Sequence, residues 1–280
     1  MSHQAPSPAT DQPPVVVARG ITVRYGSKTI LRNIDMTVPR GHIYAILGGS
    51  GSGKSTLLKA LLDLLQVQAG TVTLLGQSRD ASQAPIPLSV LQRIGVLFQD
   101  GALLGSLTVG DNIALPLREH RKLPPAVVAE LVRDKLAQVE LLHAEHLYPA
   151  ALSGGMRKRA GLARALALDP EVLFCDEPSA GLDPQSSAAI DALLLNLRDR
   201  LQMTVVLVTH ELASIAAIVD SVLLIGGGDV VAEGPLAEVQ RRGLPLVDDF
   251  FARTPPSHRD RNHTAASLFG LTDPTGGPHG

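Results

Sequence analysis

A single cysteine, Cys175, stands in a chain of 280 residues, and one thiol cannot close an internal disulfide. It sits in the apolar run Val172-Leu173-Phe174-Cys175, where sulfur is expected to act as a small buried hydrophobe, and the chain is expected to work inside the cell. A charge excess is missing too. The 25 Lys and Arg against 27 Asp and Glu leave a formal net charge of -2, which gives no global attraction to nucleic acid or anionic lipid. Any polyanion must be held locally, and no nucleic-acid partner is expected. Long apolar runs are also absent. Thr204 to Val208 and Val222 to Ile225 fall far short of the roughly 18 to 20 residues that span a bilayer, so no transmembrane helix is expected. Met1 to Pro14 is rich in Pro, Ser and Gln, with neither a basic start nor a following apolar core, unlike a secretory signal. It is expected to be a flexible lead-in. There is no internal repeat and no heptad run.

What is present is a globular composition, 45% hydrophobic, enough for one large domain or two small ones with a real core. The chain opens with three extended runs, Val15 to Val23, Thr29 to Val38 and His42 to Leu47, separated by Gly26 and by Pro39-Arg40-Gly41. The third stops at a glycine-rich segment, and Lys54 to Leu65 then carries Leu57, Leu58, Leu61, Leu62 and Leu65 at helical spacing. Thr71 to Leu75 and Ile94 to Phe98 predict further strands. Ala126 to Val139 predicts an amphipathic helix behind Pro124-Pro125, and the middle of the chain reads as mostly helical. Strand and helix alternate again afterwards: Val172 to Cys175, a helix from about Gln185 to Arg200, Val205 to Thr209, a helix from Glu211, and Val222 to Ile225. Such alternation predicts an α/β fold, a parallel sheet covered on both faces.

The segment Gly48-Gly49-Ser50-Gly51-Ser52-Gly53-Lys54-Ser55, followed by Thr56, satisfies G-x-x-x-x-G-K-[ST] between a strand and a helix, where a phosphate cradle must lie. Glycines let successive backbone N–H groups turn inward around phosphate oxygens, and the helix N-terminus adds its positive end. Lys54 is expected to reach the β- and γ-phosphates of ATP and Ser55 to ligate Mg²⁺. A flexible Gly-Ser linker has no reason to carry Lys-Ser-Thr and a leucine-rich helix.

Acid chemistry is offered by Asp176-Glu177, which closes an apolar strand. Alternation along a strand points neighbouring side chains apart, but at its C-terminal edge both can face a ligand crevice. Asp176 suits water-mediated Mg²⁺ binding and Glu177 suits polarising an attacking water.

With these two motifs in place, a resemblance becomes specific. Leu152-Ser153-Gly154-Gly155-Met156 resembles the signature of ATP-binding cassette (ABC) transporter ATPases, normally Leu-Ser-Gly-Gly-Gln. Gln99 resembles that family's Q-loop, Ser179-Ala180-Gly181-Leu182-Asp183 its D-loop, His210 its switch histidine and Tyr25 the aromatic residue that stacks on adenine. The resemblance covers some four-fifths of the chain. It implies a P-loop NTPase with a RecA-like parallel-sheet core, an N-terminal antiparallel β subdomain and an inserted helical subdomain. On that basis residues 15–251 form the ATP-binding domain, with the insertion at about 100–165, and 252–280 a C-terminal tail. The implied catalytic set is Glu177, His210, Gln99 and Lys54. Ser55, Gln99 and Asp176 are the implied Mg²⁺ set.

One glycine cradle holds one side of ATP only. In the family the other side is covered by the signature of a second subunit, so a homodimer is implied, with two ATP molecules between the cradle of one copy and Ser153, Gly154 and Gly155 of the other, and Asp183 nearby. Met156 departs from the usual Gln, exchanging a hydrogen-bonding side chain for a soft apolar one. Together with Phe98 to Val109 and Asn112 to His120, it resembles the narrower Mla/Mce-type ATPases of bacterial phospholipid transport, although Leu104 stands where those carry Phe. That resemblance implies a separate membrane permease (MlaE-like), an MCE-domain substrate-binding protein, a small STAS-type partner, and a place on the cytoplasmic face of the inner membrane. Ala102, Leu103, Leu104 and Leu107, rimmed by Arg118, Glu119 and His120, are expected to meet the permease. Leu268, Phe269 and Leu271 in the tail are expected to dock on a partner, the second copy first.

Overall fold

A computed structural model describes residues 12–82 and 85–252. The expectations for the first residues of the lead-in and for Leu268, Phe269 and Leu271 fall outside them. The chain opens with strands β1 (Val16–Tyr25), β2 (Lys28–Val38) and β3 (Ile43–Gly48), followed by helix α1 (Lys54–Leu61). Strands β4 (Ala69–Leu74) and β5 (Gln77–Asp80), helix α2 (Leu88–Leu91) and strand β6 (Ile94–Leu97) come next. Helices α3 (Val109–His120), α4 (Pro125–Gln138) and α5 (Gly154–Ala165) then lie between β6 and β7 (Val172–Asp176). The remainder is α6 (Pro184–Leu201), β8 (Thr204–Val208), α7 (Leu212–Ile218), β9 (Ser221–Gly226), β10 (Asp229–Pro235), α8 (Leu236–Gln240) and α9 (Pro245–Ala252).

These strands make two sheets. A four-stranded antiparallel sheet has the order β2-β1-β4-β5, and a six-stranded sheet has the order β10-β9-β3-β8-β7-β6. The second is parallel except for β10, which returns antiparallel to β9. Alternation along its strands divides the core. Ile43, Ala45 and Leu47 join Leu173, Cys175, Val205 and Leu207 in a cluster with the helices, whereas Tyr44 and Ile46 join Phe174, Val206 and Val208 in a cluster with α1 and the antiparallel sheet. Both faces are covered, so the inner strands β3, β7 and β8 are buried along their whole length and read as continuous apolar runs. Cys175 is fully buried among them.

Several boundaries differ from the sequence reading. Helix α1 stops at Leu61 and not Leu65, because Asp63 turns the chain into the left-handed region at φ 60. Strand β5 is too polar (Gln-Ser-Arg-Asp) to be legible, and it pairs only at the edge of its sheet. Helix α3 carries Pro116 in its interior, a residue that argues against a helix in sequence, yet the Thr108 hydroxyl caps its start by accepting from Asp111 N at 3.1 Å. Among the described residues no helix is long and apolar enough to cross a membrane.

Candidate active site

Strand β3 is buried to its last residue and delivers the chain to Gly48 at the C-terminal edge of the sheet. Two glycines there are sterically required. A Cβ on Gly48 (φ +150) would lie 2.3 Å from the Ile225 carbonyl oxygen, and one on Gly53 (φ +107) 2.6 Å from Leu31 Cδ2. Gly49 and Gly51, by contrast, face open space. Helix α1 begins directly behind this turn with no acidic residue in its first turn and no side-chain cap. Its first N–H groups, which no intrahelical carbonyl can take, are therefore left for an anion.

Two further features fit a polyphosphate. Lys54 is buried, and its Nζ donates to Gly48 O at 2.9 Å and Gly49 O at 3.0 Å, which holds the ammonium inside the loop. Burial pushes its pKa down, while Glu177 and Asp176 push it back up. The hydroxyl of Ser52 is buried with no hydrogen-bond partner among the described residues, the kind of group that a bound oxygen would satisfy.

The acids come from the end of β7. Asp176 is the last strand residue and is buried, and its Oδ1 accepts from Ser55 Oγ at 3.1 Å. Glu177 follows at φ 51, an uncommon left-handed conformation for a residue with a side chain. That twist breaks the alternation of the strand, and Glu177 lines the same cavity as Ser55. His210, just past the end of β8, puts Nδ1 2.8 Å from Glu177 Oε1. The imidazole is largely exposed, whereas the Glu177 side chain is 14% exposed.

A cavity of about 640 Å³ takes in Tyr25, Gly48, Gly49, Ser50, Gly51, Gly53, Lys54, Ser55, Thr56, Gln99, Glu177 and His210. Thus the aromatic residue, the glycine loop, the Q-loop glutamine and the two groups at the strand ends meet in one place. Ser153, Gly154, Gly155 and Asp183 stand apart. Ser153 caps α5 by accepting from Met156 N at 3.2 Å, and with Gly155 it borders a separate cavity of about 320 Å³ shared with Met156, Arg159 and Ser186. Asp183 caps α6, accepting from Gln185 N and Ser186 N at 3.0 Å each. Among the described residues no group of three His, Cys, Asp or Glu could hold a metal. A hard cation would instead find one hydroxyl and one carboxylate, Ser55 and Asp176, and would fill its shell with phosphate and water oxygens.

Sequence reasoning missed Ile30 and Phe250, which also line the main cavity together with Ala180 of the D-loop segment. Phe250 lies on α9, brought to the site because the β9–β10 turn packs between α9 and β2: a Cβ on Gly226 would touch Leu246, and one on Gly228 the Ile30 carbonyl. No local signal marks that approach. Lys158 was missed as well, standing between Arg157 and Arg159 at the start of α5 with no local sign that it is buried.

Comparison with known proteins bears on the fold and the family. Residues 31–180 match the family model described as ABC transporter. The chain is 38% identical over 235 residues to the probable ribonucleotide transport ATP-binding protein mkl of Mycobacterium tuberculosis, covering 84% of this chain and 66% of that one. The match thus spans just under two thirds of the mycobacterial relative's length. It is 38% identical over 234 residues to the intermembrane phospholipid transport system ATP-binding protein MlaF of Haemophilus influenzae (83% of this chain, 89% of the relative), and 37% identical over 236 residues to MlaF of Escherichia coli (84% and 88%). Among solved structures, an ATP-binding cassette dimer in a post-hydrolysis state with ADP and Pi bound superposes with a TM-score of 0.70 at 27% identity, covering 79% of this chain and 98% of the other. CbiO1 of Clostridium perfringens, part of the ABC transporter complex cbiONQ, superposes with a TM-score of 0.73 at 26% identity, covering 92% and 97%. The fold is that of the cassettes, an α/β P-loop NTPase, and the chain belongs to the ABC transporter family.

Proposed function

We propose that this chain hydrolyses ATP as one half of a two-chain assembly and thereby drives phospholipid movement through a separate membrane permease. The observation that carries the reading is the convergence of Lys54, the Ser55–Asp176 contact and the Glu177–His210 contact on one cavity. The loop N–H groups and Lys54 bind the phosphates, and Tyr25 takes the adenine face. Ser55, Asp176 and Gln99 are the residues that would hold Mg²⁺, which when bound neutralises charge on the phosphate oxygens. Glu177 orients and polarises the attacking water. His210 fixes the Glu177 carboxylate through one oxygen, leaving the other for the water, and senses the γ-phosphate. Among the described residues of one copy, the Ser153 to Gly155 turn does not reach the open side of the site, since Ser153 and Gly155 border another cavity. The same residues of a second copy, with Asp183 beside them, are assigned that role, so ATP holds the dimer together and hydrolysis loosens it.

The permease contact is assigned to the segment after Gln99. Asn112 is fully buried and moulds that segment, the two N–H groups of its amide shared among Leu104 O (3.1 Å), Leu107 O (3.2 Å) and Thr108 O (2.9 Å). The same turn leaves Leu104 45% exposed, with Arg118, Glu119 and His120 on the surface nearby. Residues 15–251 act as the working unit, with the helices of about 100–165 as its permease-facing part and 252–280 as an extension. The cargo assignment draws on the MlaF relatives, named for intermembrane phospholipid transport. An MlaE-like permease, an MCE-domain protein and a STAS-type partner complete the proposed complex, with this chain at the cytoplasmic face of the inner membrane. A second cargo, ribonucleotide, is favoured by the mycobacterial relatives, which are named for probable ribonucleotide transport. The complex co-purified from solubilised membranes and reconstituted in vesicles distinguishes them. ATP-dependent transfer of labelled phospholipid that Lys54→Ala abolishes supports the first reading, and labelled-ribonucleotide movement without lipid transfer replaces it.

A further inference from the structure

Gln99 and Glu177 occupy equivalent positions just beyond the C-terminal ends of neighbouring strands. Parallel pairing of β6 with β7 ends at Leu97 opposite Cys175, and each residue of interest lies two positions further on. Beyond that pair the ladder no longer holds the two chains side by side. A side chain takes its place: Lys158 Nζ donates to the carbonyl oxygen of Gln99 and, at 3.0 Å, to that of Glu177. Lys158 is only 6% exposed. Burial pushes its pKa down, and Asp100, Glu177 and Asp176 counter that shift.

The rest of α5 holds the same segment. Arg164 donates to Ala102 O at 2.5 Å and Gly101 O at 3.2 Å. Between the two cations, Gly161 lets the backbones touch, since a Cβ there would lie 2.9 Å from Gly101 Cα and 3.0 Å from Gly101 O. Residues 99–102 therefore ride on α5, whose N-terminus is capped by Ser153. Within this clamp, Lys158 also reaches the strand that carries Glu177, and it does so through the main-chain carbonyl of that residue.

We propose that Lys158 is a positioning residue for hydrolysis, a latch that ties the Gln99 segment and α5 to the Glu177 turn. The proposal rests on the ATPase reading given above. Lys158 does not line the nucleotide cavity, so it acts through Gln99 and Glu177 and touches no substrate. Its loss frees the Glu177 turn, which sits in an uncommon backbone conformation, from the segment that senses the γ-phosphate. A group misplaced by about an ångström costs rate far more than affinity.

The test uses the purified full-length chain as wild type, Lys158→Met, Lys158→Gln, Lys158→Arg and Glu177→Gln. Steady-state hydrolysis against ATP concentration gives kcat and KM, and a fluorescent ATP analogue gives affinity. Lys158→Met and Lys158→Gln are expected to lower kcat by about tenfold or more while KM and affinity stay within about threefold, the pattern of an interaction needed in the transition state. Lys158→Arg, which keeps a cation with several donors, is expected to recover a large part of the loss. A kcat within about twofold of wild type in both the Met and Gln variants overturns the proposal. So does a matched loss of affinity, kcat and thermal stability that Arg does not rescue. Should Lys158→Met fail to fold, the Gln and Arg variants carry the comparison. Wild-type hydrolysis no higher than that of Glu177→Gln overturns the ATPase reading and the latch with it; hydrolysis in the wild type alone, untouched by Lys158 substitutions, removes only the latch.

Discussion

Ser55 Oγ donates to Asp176 Oδ1 at 3.1 Å, joining the first turn of α1 to the last residue of β7. Two motifs separated by more than a hundred residues are thereby held at one point, beside the Lys54 ammonium and the Glu177 carboxylate. The contact follows from the sheet order, in which only β8 separates β3 from β7.

Lys54→Ala removes a buried ammonium that the loop carbonyls already hold in place. A hydrogen bond to a charged group contributes about 1.5–3 kcal/mol, so ATP affinity is expected to fall roughly 10- to 100-fold. The fold stays intact. Isothermal titration alongside a melting curve checks both.

Tyr25→Ala and Phe250→Ala trim the apolar part of the cavity lining. Aromatic contacts contribute about 0.5–1.5 kcal/mol beyond their buried area, and each variant is expected to weaken ATP binding several-fold. The effect of Phe250 is the sharper test, because nothing in its local sequence points to the nucleotide. Fluorescent ATP titration of both variants measures it.

Cys175 is fully buried, and burial pushes its thiol well above the usual range. Only the thiolate is a nucleophile, so alkylation in the folded protein is expected to be negligible and to become rapid in denaturant. Mass spectrometry after iodoacetamide, with and without guanidinium, reads the difference.

Glu171 accepts from Arg93 Nε at 2.6 Å and Arg40 NH1 at 3.0 Å, and the hydrogen bond from Arg93 leads in holding its carboxyl below the usual carboxylate range. A lowered folded pKa means that this stabilisation is complete above the ordinary carboxylate pKa and is lost as pH falls through the folded value. The group is about one-third exposed, so solvent screening keeps the contribution below about 1 kcal/mol. Glu171→Gln is expected to lower Tm slightly at neutral pH and not at strongly acid pH, as melting curves across that range would register.

Much of this was legible beforehand. The glycine loop, the apolar strand ending in Asp176-Glu177 and the alternation of strands and helices are local patterns, and the structure places them as read. The left-handed turn of Glu177 was not legible, because a non-glycine residue gives no local sign of positive φ. Nor was the place of Phe250 in the cavity, which depends on the packing of α9 against the β9–β10 turn. Lys158 looked like one of several cations on a basic helix. Its burial is set by the approach of residues 99–102 to Gly161, a tertiary fact that no spacing encodes.

The measurement closest to the central claim compares wild type with Glu177→Gln for ATP turnover and for mass in solution with Mg-ATP, by light scattering. The substitution removes the group that polarises water and leaves the phosphate contacts of Lys54 and Ser55, so ATP should still favour association by mass action. The account predicts turnover lowered by about two orders of magnitude or more and a stable ATP-dependent dimer of the variant. Unchanged turnover, or a variant that remains monomeric at saturating ATP, would contradict it.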